Sequence, residues 1–341
     1  MELFHSISIF SSSERMDFQQ HYLSYKQLVD ERLAGVVDRE EPRMLYEPTR
    51  YILAGGGKRI RAVLVMLAAE AVGGTGREAL DAGAAVEILH NFTLVHDDIM
   101  DSAATRRGRE TVHLKWDQGT AILVGDVMIG IAYRVLRQSA PKNALDVFDA
   151  FTRGIIDVCE GQTLDREFEM RHDVGLEDYM HMIAMKTGRL VEMAAEVGGL
   201  VGGGTAEQID ALRGYARHIG QAFQIQDDLL DITANEAELG KRIGGDVIEG
   251  KRTYLLVRAM ESIRNGSDRS LLDRLLEGKG LPEEDVAAMR DLYDRNGILD
   301  AARADVRTYI ERAEADLGPL PASPARDMLG WFAQMLMRRN S

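Results

Sequence analysis

The sequence is short of the residues that staple or kink a chain. A single cysteine, Cys159, stands among 341 residues. That excludes an intramolecular disulfide and suits a reducing, cytoplasmic compartment. Cys159 lies in an apolar stretch and is expected to pack in the core. There are only 7 prolines, so long segments run without a helix breaker. No apolar run reaches the roughly 18 residues of a bilayer span, and no transmembrane segment is expected. The opening MELFHSISIFSSSER has Glu2 where a signal peptide carries basic residues, and His5 and serines break its apolar stretch. It does not read as a signal peptide; residues 1–16 are expected to be a disordered extension, with Met16 as an alternative start. Excess positive charge is missing too: the net charge is -14, which disfavours nonspecific nucleic-acid binding.

What is present is a helical period. In Ala82–Met100, AGAAVEILHNFTLVHDDIM, Val86, Leu89, Thr93 and the Asp97 region form one stripe, as expected when apolar residues recur at three and four. Similar runs cover 17–37, 58–72, 119–138, 143–170, 176–198, 206–232, 251–264, 283–294, 298–316 and 324–338, separated by breaks such as Gly55-Gly56-Gly57 and Gly202-Gly203-Gly204. No alternating run argues for a sheet. The pattern predicts an all-α chain, a single domain over 17–341 built as a bundle of about ten or more helices.

Two acidic clusters stand out: Asp97-Asp98-Ile99-Met100-Asp101 and Asp227-Asp228-Leu229-Leu230-Asp231. Positions i and i+4 share a helix face, so Asp97 pairs with Asp101 and Asp227 with Asp231. Like charges one turn apart cost a few tenths of a kcal/mol on an isolated helix, and more beside apolar neighbours, unless a cation neutralises them. Mg²⁺ suits such pairs, because it takes one or two carboxylates and completes its octahedron with water and phosphate oxygens. An exposed acidic turn explains one such cluster but not two in apolar helices, and the spacing does not fit an EF-hand loop.

Basic residues accompany both clusters. Arg106-Arg107-Gly108 follows the first, and Gly55-Gly56-Gly57-Lys58-Arg59-Ile60-Arg61 puts a glycine loop and cations at a helix start, where free N–H groups favour an anion. The Walker A spacing is absent. Lys186-Thr187 lies in a helical run, and Lys241 and Gly250-Lys251-Arg252-Thr253 follow the second cluster.

Taken in order, GGGKRIR, HDDIMD, RRG, the GDV at Gly125, the EGQTLD at Glu160, KTGRL, FQIQDDLLD and GGDVIEGKRT make the stretch from Tyr51 to Thr253 closely resemble the trans-prenyltransferases, the (E)-polyprenyl diphosphate synthases. The resemblance implies an isoprenoid-synthase helical fold around a central cavity, usually as a homodimer. It implies that Asp97, Asp101 and Asp227 bind magnesium ions bridging an allylic diphosphate, with Asp98, Asp228, Asp231 and Asp246 in support. Arg106, Lys186, Lys241 and Lys251 would neutralise that diphosphate. Lys58, Arg61, His90 and Arg107 match the metal-free isopentenyl diphosphate site. Thr187 and Gln224 match residues that offer oxygens to the developing carbocation, and Gln162 and Asp165 fit the family's GQxxD element. Three departures, Ala62 for Pro, Gly188 for Ala and Tyr254 for Leu, remove no charge.

Such chemistry needs a dry pocket and a charge clamp rather than a side-chain nucleophile, and no Ser/His/Asp or Cys/His set is evident; His96 reads as structural. Phe92 lies five residues before Asp97, roughly 7.5 Å down the helix, with the small Thr93 nearer and Leu89 and Val86 deeper. In the family, one aromatic at that position and no insertion in the motif resembles archaeal-type geranylgeranyl synthases. The expected product is geranylgeranyl diphosphate, made from isopentenyl diphosphate and dimethylallyl, geranyl or farnesyl diphosphate; the alternatives are farnesyl diphosphate or a longer chain. A terpene cyclase lacks the second aspartate motif and the isopentenyl site, and a noncatalytic subunit of a heteromeric synthase usually loses motif aspartates. A purely structural acidic protein leaves the paired motifs unexplained. Arg338-Arg339 is expected to be a frayed terminus.

Overall fold

The helical period is realised along nearly the whole described chain, residues 12–139, 143–168, 170–171, 173–234, 243–278 and 280–337 of a computed structural model. The fold is all-α. Its helices are α1 (Ser12–Ala34), α2 (Arg43–Leu53), α3 (Ile60–Ala71), α4 (Leu80–Met100), α5 (Val112–Lys115), α6 (Gln118–Leu136), α7 (Ala144–Phe168) and α8 (Leu176–Ile183). There follow α9 (Arg189–Val201), α10 (Ala206–Thr233), α11 (Gly245–Ile248), α12 (Tyr254–Ser262), α13 (Gly266–Gly278), α14 (Val286–Arg295), α15 (Ile298–Asp316) and α16 (Pro324–Met337). Of the segment expected to be a disordered extension, 1–11 lies outside the described residues, and α1 begins at Ser12.

The chain forms two compact units. The first comprises the described residues up to Ile155, with Met193–Arg213 and Gly318–Trp331. Its centre is α3, where Ala62 to Ala69 are fully buried; a helix apolar all round is a core helix. Helix α4 packs on α3 and α6. Its residues Ala82 to Leu89 are buried, and its last turns become polar, so it carries aspartates outward from the core. At the head of α3, Arg59 is buried with φ 54°. Its guanidinium pairs with Glu87 of α4 at 3.1 Å and Asp30 of α1 at 2.8 Å, and donates to the Leu53 carbonyl at 3.0 Å. One satisfied buried cation therefore ties three helices beside the glycine loop.

The second unit comprises Ile156–Glu192, Gly214–Leu317 and the described residues from Phe332. Its core gathers Tyr179, Met182, Ile225, Leu229, Tyr254 and Leu292 among other buried side chains.

Several local features were not expected. Helix α2 contains Pro48, and α13 is short and charged, anchored through the buried Leu272 and Leu275. The run expected over 176–198 is interrupted by a π-helical turn at Ala184–Gly188. A two-residue antiparallel hairpin, β1 (Thr105–Arg106) and β2 (Arg109–Glu110), pairs Thr105 with Glu110 and Arg106 with Arg109. Cys159 is exposed rather than in the core. The buried positions of α7 include Ala150, Phe151, Gly154 and Val158, and the next residue along turns 100° away from that stripe. Helix α6, extended to Ser139, is long and apolar enough to cross a bilayer, and half of its most apolar stretch is buried within the fold.

Candidate active site

The first charged cluster is built where α4 ends. Asp98 is buried and accepts a hydrogen bond from Arg106 Nε at 2.6 Å. Burial raises its carboxyl above the usual range, and the guanidinium opposes that rise. Asp97 is half-buried and Asp101 exposed, so one face of the same motif stays accessible.

Arg106 lies in the hairpin, whose turn residues Arg107 and Gly108 both have positive φ, 53° and 71°. Two left-handed central residues are the signature of a type I′ turn, whose twist matches the paired strands. Arginine is disfavoured in that conformation by roughly 1 kcal/mol, and the turn holds because its surroundings fix it. Arg107 donates to the Gly56 carbonyl. A Cβ on Gly57, φ 130°, would lie 2.9 Å from Arg107 Nη1, so the third glycine of the loop makes room for that guanidinium. Arg109 sits 3.7 Å over the Tyr51 ring and donates to the Tyr51 carbonyl, while Tyr51 Oη donates to the Glu110 carbonyl. The hairpin is pinned to α2 through one tyrosine. A narrow cleft of about 30 Å³ opens here, lined by Tyr51, Asn91, Leu94, Val95, Asp98 and Arg106 among others.

Lys58 is exposed in the same loop, and its carbonyl accepts from Tyr22. Arg61 Nη1 lies 3.3 Å from His90 Nε2. Arginine only donates, so His90 Nε2 accepts and Nδ1 carries the proton. That Nδ1 is buried with no hydrogen-bond partner among the described residues. Burial, then the Arg61, Arg107, Arg106 and Arg59 guanidiniums, hold His90 well below its ordinary pKa. A neutral imidazole thus holds a buried N–H lacking an acceptor beside several cations, which is what an arriving anion would satisfy. Phe92 is buried, its ring edge-on to His96 with centroids 4.9 Å apart. His96 Nε2 lies 3.2 Å from the Ile122 carbonyl, the structural role expected of it. Leu89 and Val86 are buried, and Thr93 donates to the His90 carbonyl at 2.8 Å.

The second charged cluster surrounds the last turns of α10. Asp227 is exposed, Asp228 buried and Asp231 half-buried, so again the middle carboxylate is the buried one. Asp228 Oδ2 accepts from Tyr179 Oη and from the Tyr254 backbone N–H, each at 2.7 Å, and Oδ1 accepts from Gln224 Nε2 at 3.0 Å. Burial pushes this carboxyl up to about 7 against the pull of those donors. The Tyr254 N–H is free to donate because it opens α12, where the first amides lack helical partners. Thr253 caps that helix, accepting from Leu256 N at 3.3 Å, which gives the threonine of GKRT a local task. The Tyr254 side chain, in place of leucine, donates to Asp305 and accepts from Arg258 at 2.7 Å.

Lys186 and Thr187 lie in the π turn, a local form frequent at functional sites. A Cβ on Gly161 would lie 2.3 Å from Lys186 N, so the glycine of the GQ element lets α7 approach that backbone. The same approach sets Asp165 against Lys186 as an ion pair, and Gln162 is half-buried beside them in sequence. Thr187 Oγ1 donates to Gln224 Oε1 at 3.1 Å. Asp231 Oδ2 accepts from Asp246 N at 3.1 Å, and Lys251, 60% exposed, lies 3.7 Å from Asp246 and 2.6 Å from Glu249. Lys241 and Arg338-Arg339 lie outside the described residues. Sequence reading missed Tyr51, Arg59 and Tyr179, which support the two clusters without reaching solvent as charges. Arg59, inside GGGKRIR, carried the only visible signal.

Comparison with known proteins finds relatives over most of the chain. The polyprenyl synthetase family model matches residues 42–294. A short chain isoprenyl diphosphate synthase of Methanothermobacter thermautotrophicus is 38% identical over 316 residues, 92% of this chain and 96% of the relative. The crystal structure of geranylgeranyl pyrophosphate synthetase from Pyrococcus horikoshii superposes with TM-score 0.88 at 36% identity, covering 94% of this chain and 99% of the other. A polyprenyl synthase from Caulobacter crescentus, complexed with calcium and isoprenyl diphosphate, superposes with TM-score 0.84 at 26% identity, covering 98% and 100%. With its motifs in order, its fold matched end to end and most of its length within the family model, the chain belongs to the polyprenyl synthetase family and is a prenyltransferase, a short-chain trans-prenyl diphosphate synthase.

Proposed function

We propose that this prenyltransferase uses Mg²⁺ to ionise an allylic diphosphate, joins the resulting carbon chain to isopentenyl diphosphate, and releases geranylgeranyl diphosphate. The observation that carries this reading is the division of labour among its charges. Accessible carboxylates at Asp97, Asp101, Asp227 and Asp231 suit a cation, whereas the Arg61, Arg107, Arg106 and Arg59 guanidiniums act on a neutral His90 whose Nδ1–H lacks an acceptor among the described residues. The first set suits a metal-bridged diphosphate and the second a diphosphate held by side chains alone.

The donor chemistry fits magnesium. Aspartates one helical turn apart offer hard oxygen ligands to an ion that takes one or two carboxylates and fills its octahedron with phosphate and water. Asp97, Asp101 and Asp227 are the metal-bearing residues in this proposal. Bound Mg²⁺ supplies Lewis-acid stabilisation of the departing diphosphate. Arg106, Lys186, Lys241 and Lys251 add charge neutralisation. Lys58, Arg61, His90 and Arg107 hold the isopentenyl diphosphate, and Thr187 and Gln224 offer oxygens to the allylic cation. The alkene attacks that cation, forming the new carbon–carbon bond, and the released diphosphate takes the proton lost from the adduct.

Product length follows from Phe92, buried five residues before Asp97, and is supported by the likeness to the P. horikoshii enzyme. Ile122 and Leu123 of α6 and Leu145 of α7 are exposed, at 43%, 60% and 80%; apolar exposure of that kind suits burial against a second copy. A cytoplasmic homodimer accounts for the half-covered apolar α6 without a membrane.

The test is direct. Purified protein is incubated with Mg²⁺, labelled isopentenyl diphosphate and dimethylallyl, geranyl or farnesyl diphosphate, and the products are resolved by length. A twenty-carbon product is expected. Failure to elongate any primer would refute the synthase reading, and a cyclic hydrocarbon formed without isopentenyl diphosphate would mark a cyclase.

A further inference from the structure

Asp228 is only 5% exposed, and its three donors come from three parts of the second unit. Tyr179 is on α8, Gln224 lies one turn earlier on α10, and the Tyr254 N–H opens α12. No basic side chain among the described residues bonds to it. Tyr179, 2% exposed, directs its hydroxyl at this carboxylate.

The Tyr254 N–H and the Gln224 amide both donate to Asp228, so its two oxygens act here as acceptors. Gln224 approaches Asp228 with its NH₂, and its Oε1 points the other way. There it meets Thr187, whose hydroxyl donates to it at 3.1 Å. A primary amide turned by 180° has nearly the same shape and the opposite dipole, so packing alone chooses poorly between the two states. A fixed acceptor-only neighbour chooses decisively.

We propose that Asp228, locked by Tyr179 and the Tyr254 N–H, is a positioning residue that sets the amide of Gln224, so that carbonyl oxygen rather than NH₂ faces the allylic cation. This rests on the role proposed above for Gln224. A carbonyl dipole stabilises an adjacent cation, and the NH₂ end opposes it, an effect amplified where water is excluded. Both aspartate oxygens are committed to protein donors, so the residue serves the chemistry through Gln224. Tyr179 is the second positioning residue: its hydroxyl holds the acceptor in place and occupies the oxygen that Gln224 does not use.

A double-mutant cycle tests this. Steady-state kinetics would be measured for Asp228→Asn, Tyr179→Phe, Gln224→Met and the doubles Asp228→Asn/Gln224→Met and Tyr179→Phe/Gln224→Met, each across a Mg²⁺ titration. Asp228→Asn and Gln224→Met are each expected to lower kcat roughly 10- to 100-fold, with KM and the Mg²⁺ half-saturation within about twofold. The double variant should be no slower than the slower single one, because both changes remove the same interaction. Effects that multiply, or a Mg²⁺ requirement shifted by Asp228→Asn, would overturn the proposal in favour of a metal-supporting role. Tyr179→Phe should lower kcat roughly threefold or more and lose its effect in the Gln224→Met background; it carries the cycle if Asp228→Asn does not fold. Melting midpoints of the same variants provide a readout free of turnover. Non-additive shifts support the coupling and additive ones refute it, whereas a wild-type protein that elongates no primer refutes the synthase reading instead.

Discussion

The two aspartate motifs share a spacing and differ in how they are held. In each, the middle carboxylate is buried while its neighbours at the first and fifth positions remain at least partly accessible. Asp98 is fixed by one charged partner, Arg106, whose side chain is 37% exposed. Asp228 is fixed by three neutral donors, two of them from buried tyrosines. A guanidinium near the surface can swing into solvent, but a buried phenol and a helix-opening amide cannot. The first motif is thus built to exchange partners, the second to stay fixed.

The largest effect expected is on turnover. Asp97→Ala and Asp227→Ala should each lower kcat roughly a thousandfold. Because both residues are accessible, melting temperatures should stay near wild type or rise slightly as like-charge repulsion is relieved. A fall of many degrees would show that these carboxylates serve folding. The middle positions should separate the motifs by stability. Asp228→Ala leaves three donors unsatisfied and should cost about 3–5 kcal/mol, whereas Asp98→Ala frees an arginine that can turn to water and should cost about 1–2 kcal/mol. Urea denaturation of the two variants measures that difference, and equal losses would erase the contrast drawn here.

Smaller changes probe the neighbourhood of each motif. Gly161→Ala drives a methyl into the Lys186 backbone and should cost about 1–3 kcal/mol, with loss of activity. Phe92→Ala should lengthen the product while costing about 3 kcal/mol of stability; unchanged chain lengths, resolved chromatographically, would remove Phe92 from the length-setting role. The mildest effect concerns His90. Its folded pKa lies well below 6.5, so the unfolded chain takes up the proton first. Stability should therefore fall as pH drops below about 6.5, by at most about 1.4 kcal/mol per pH unit. His90→Asn should flatten that part of the melting-temperature profile.

Much of the candidate site was legible because its signals are local. Aspartates at i and i+4 share a face wherever the helix packs, and a glycine run before cations marks a loop at a helix start. The supporting residues were not legible. Tyr179 meets Asp228 across 49 residues, and Arg107 reaches Gly56 across 51. Nothing in either local pattern announces the partner. Lys58, Arg59 and Arg61 are alike as letters, yet Arg59 alone is buried as a structural tie. Cys159 shows the same limit from the other side: its apolar neighbourhood suggests core, while one step of 100° turns it outward.

The sequence by itself determined the helical class, the places where charge of each sign concentrates, and the chemistry those charges share with a family. Periodicity and spacing along a helix suffice for that, since both are set within a few residues. Only the tertiary structure decided which aspartate of each motif is buried, which arginine is a buried tie and which stays accessible, and which way Gln224 turns. Those outcomes depend on burial and on donors from distant segments, and the free energy of a buried carboxylate is fixed by the partners the fold brings to it.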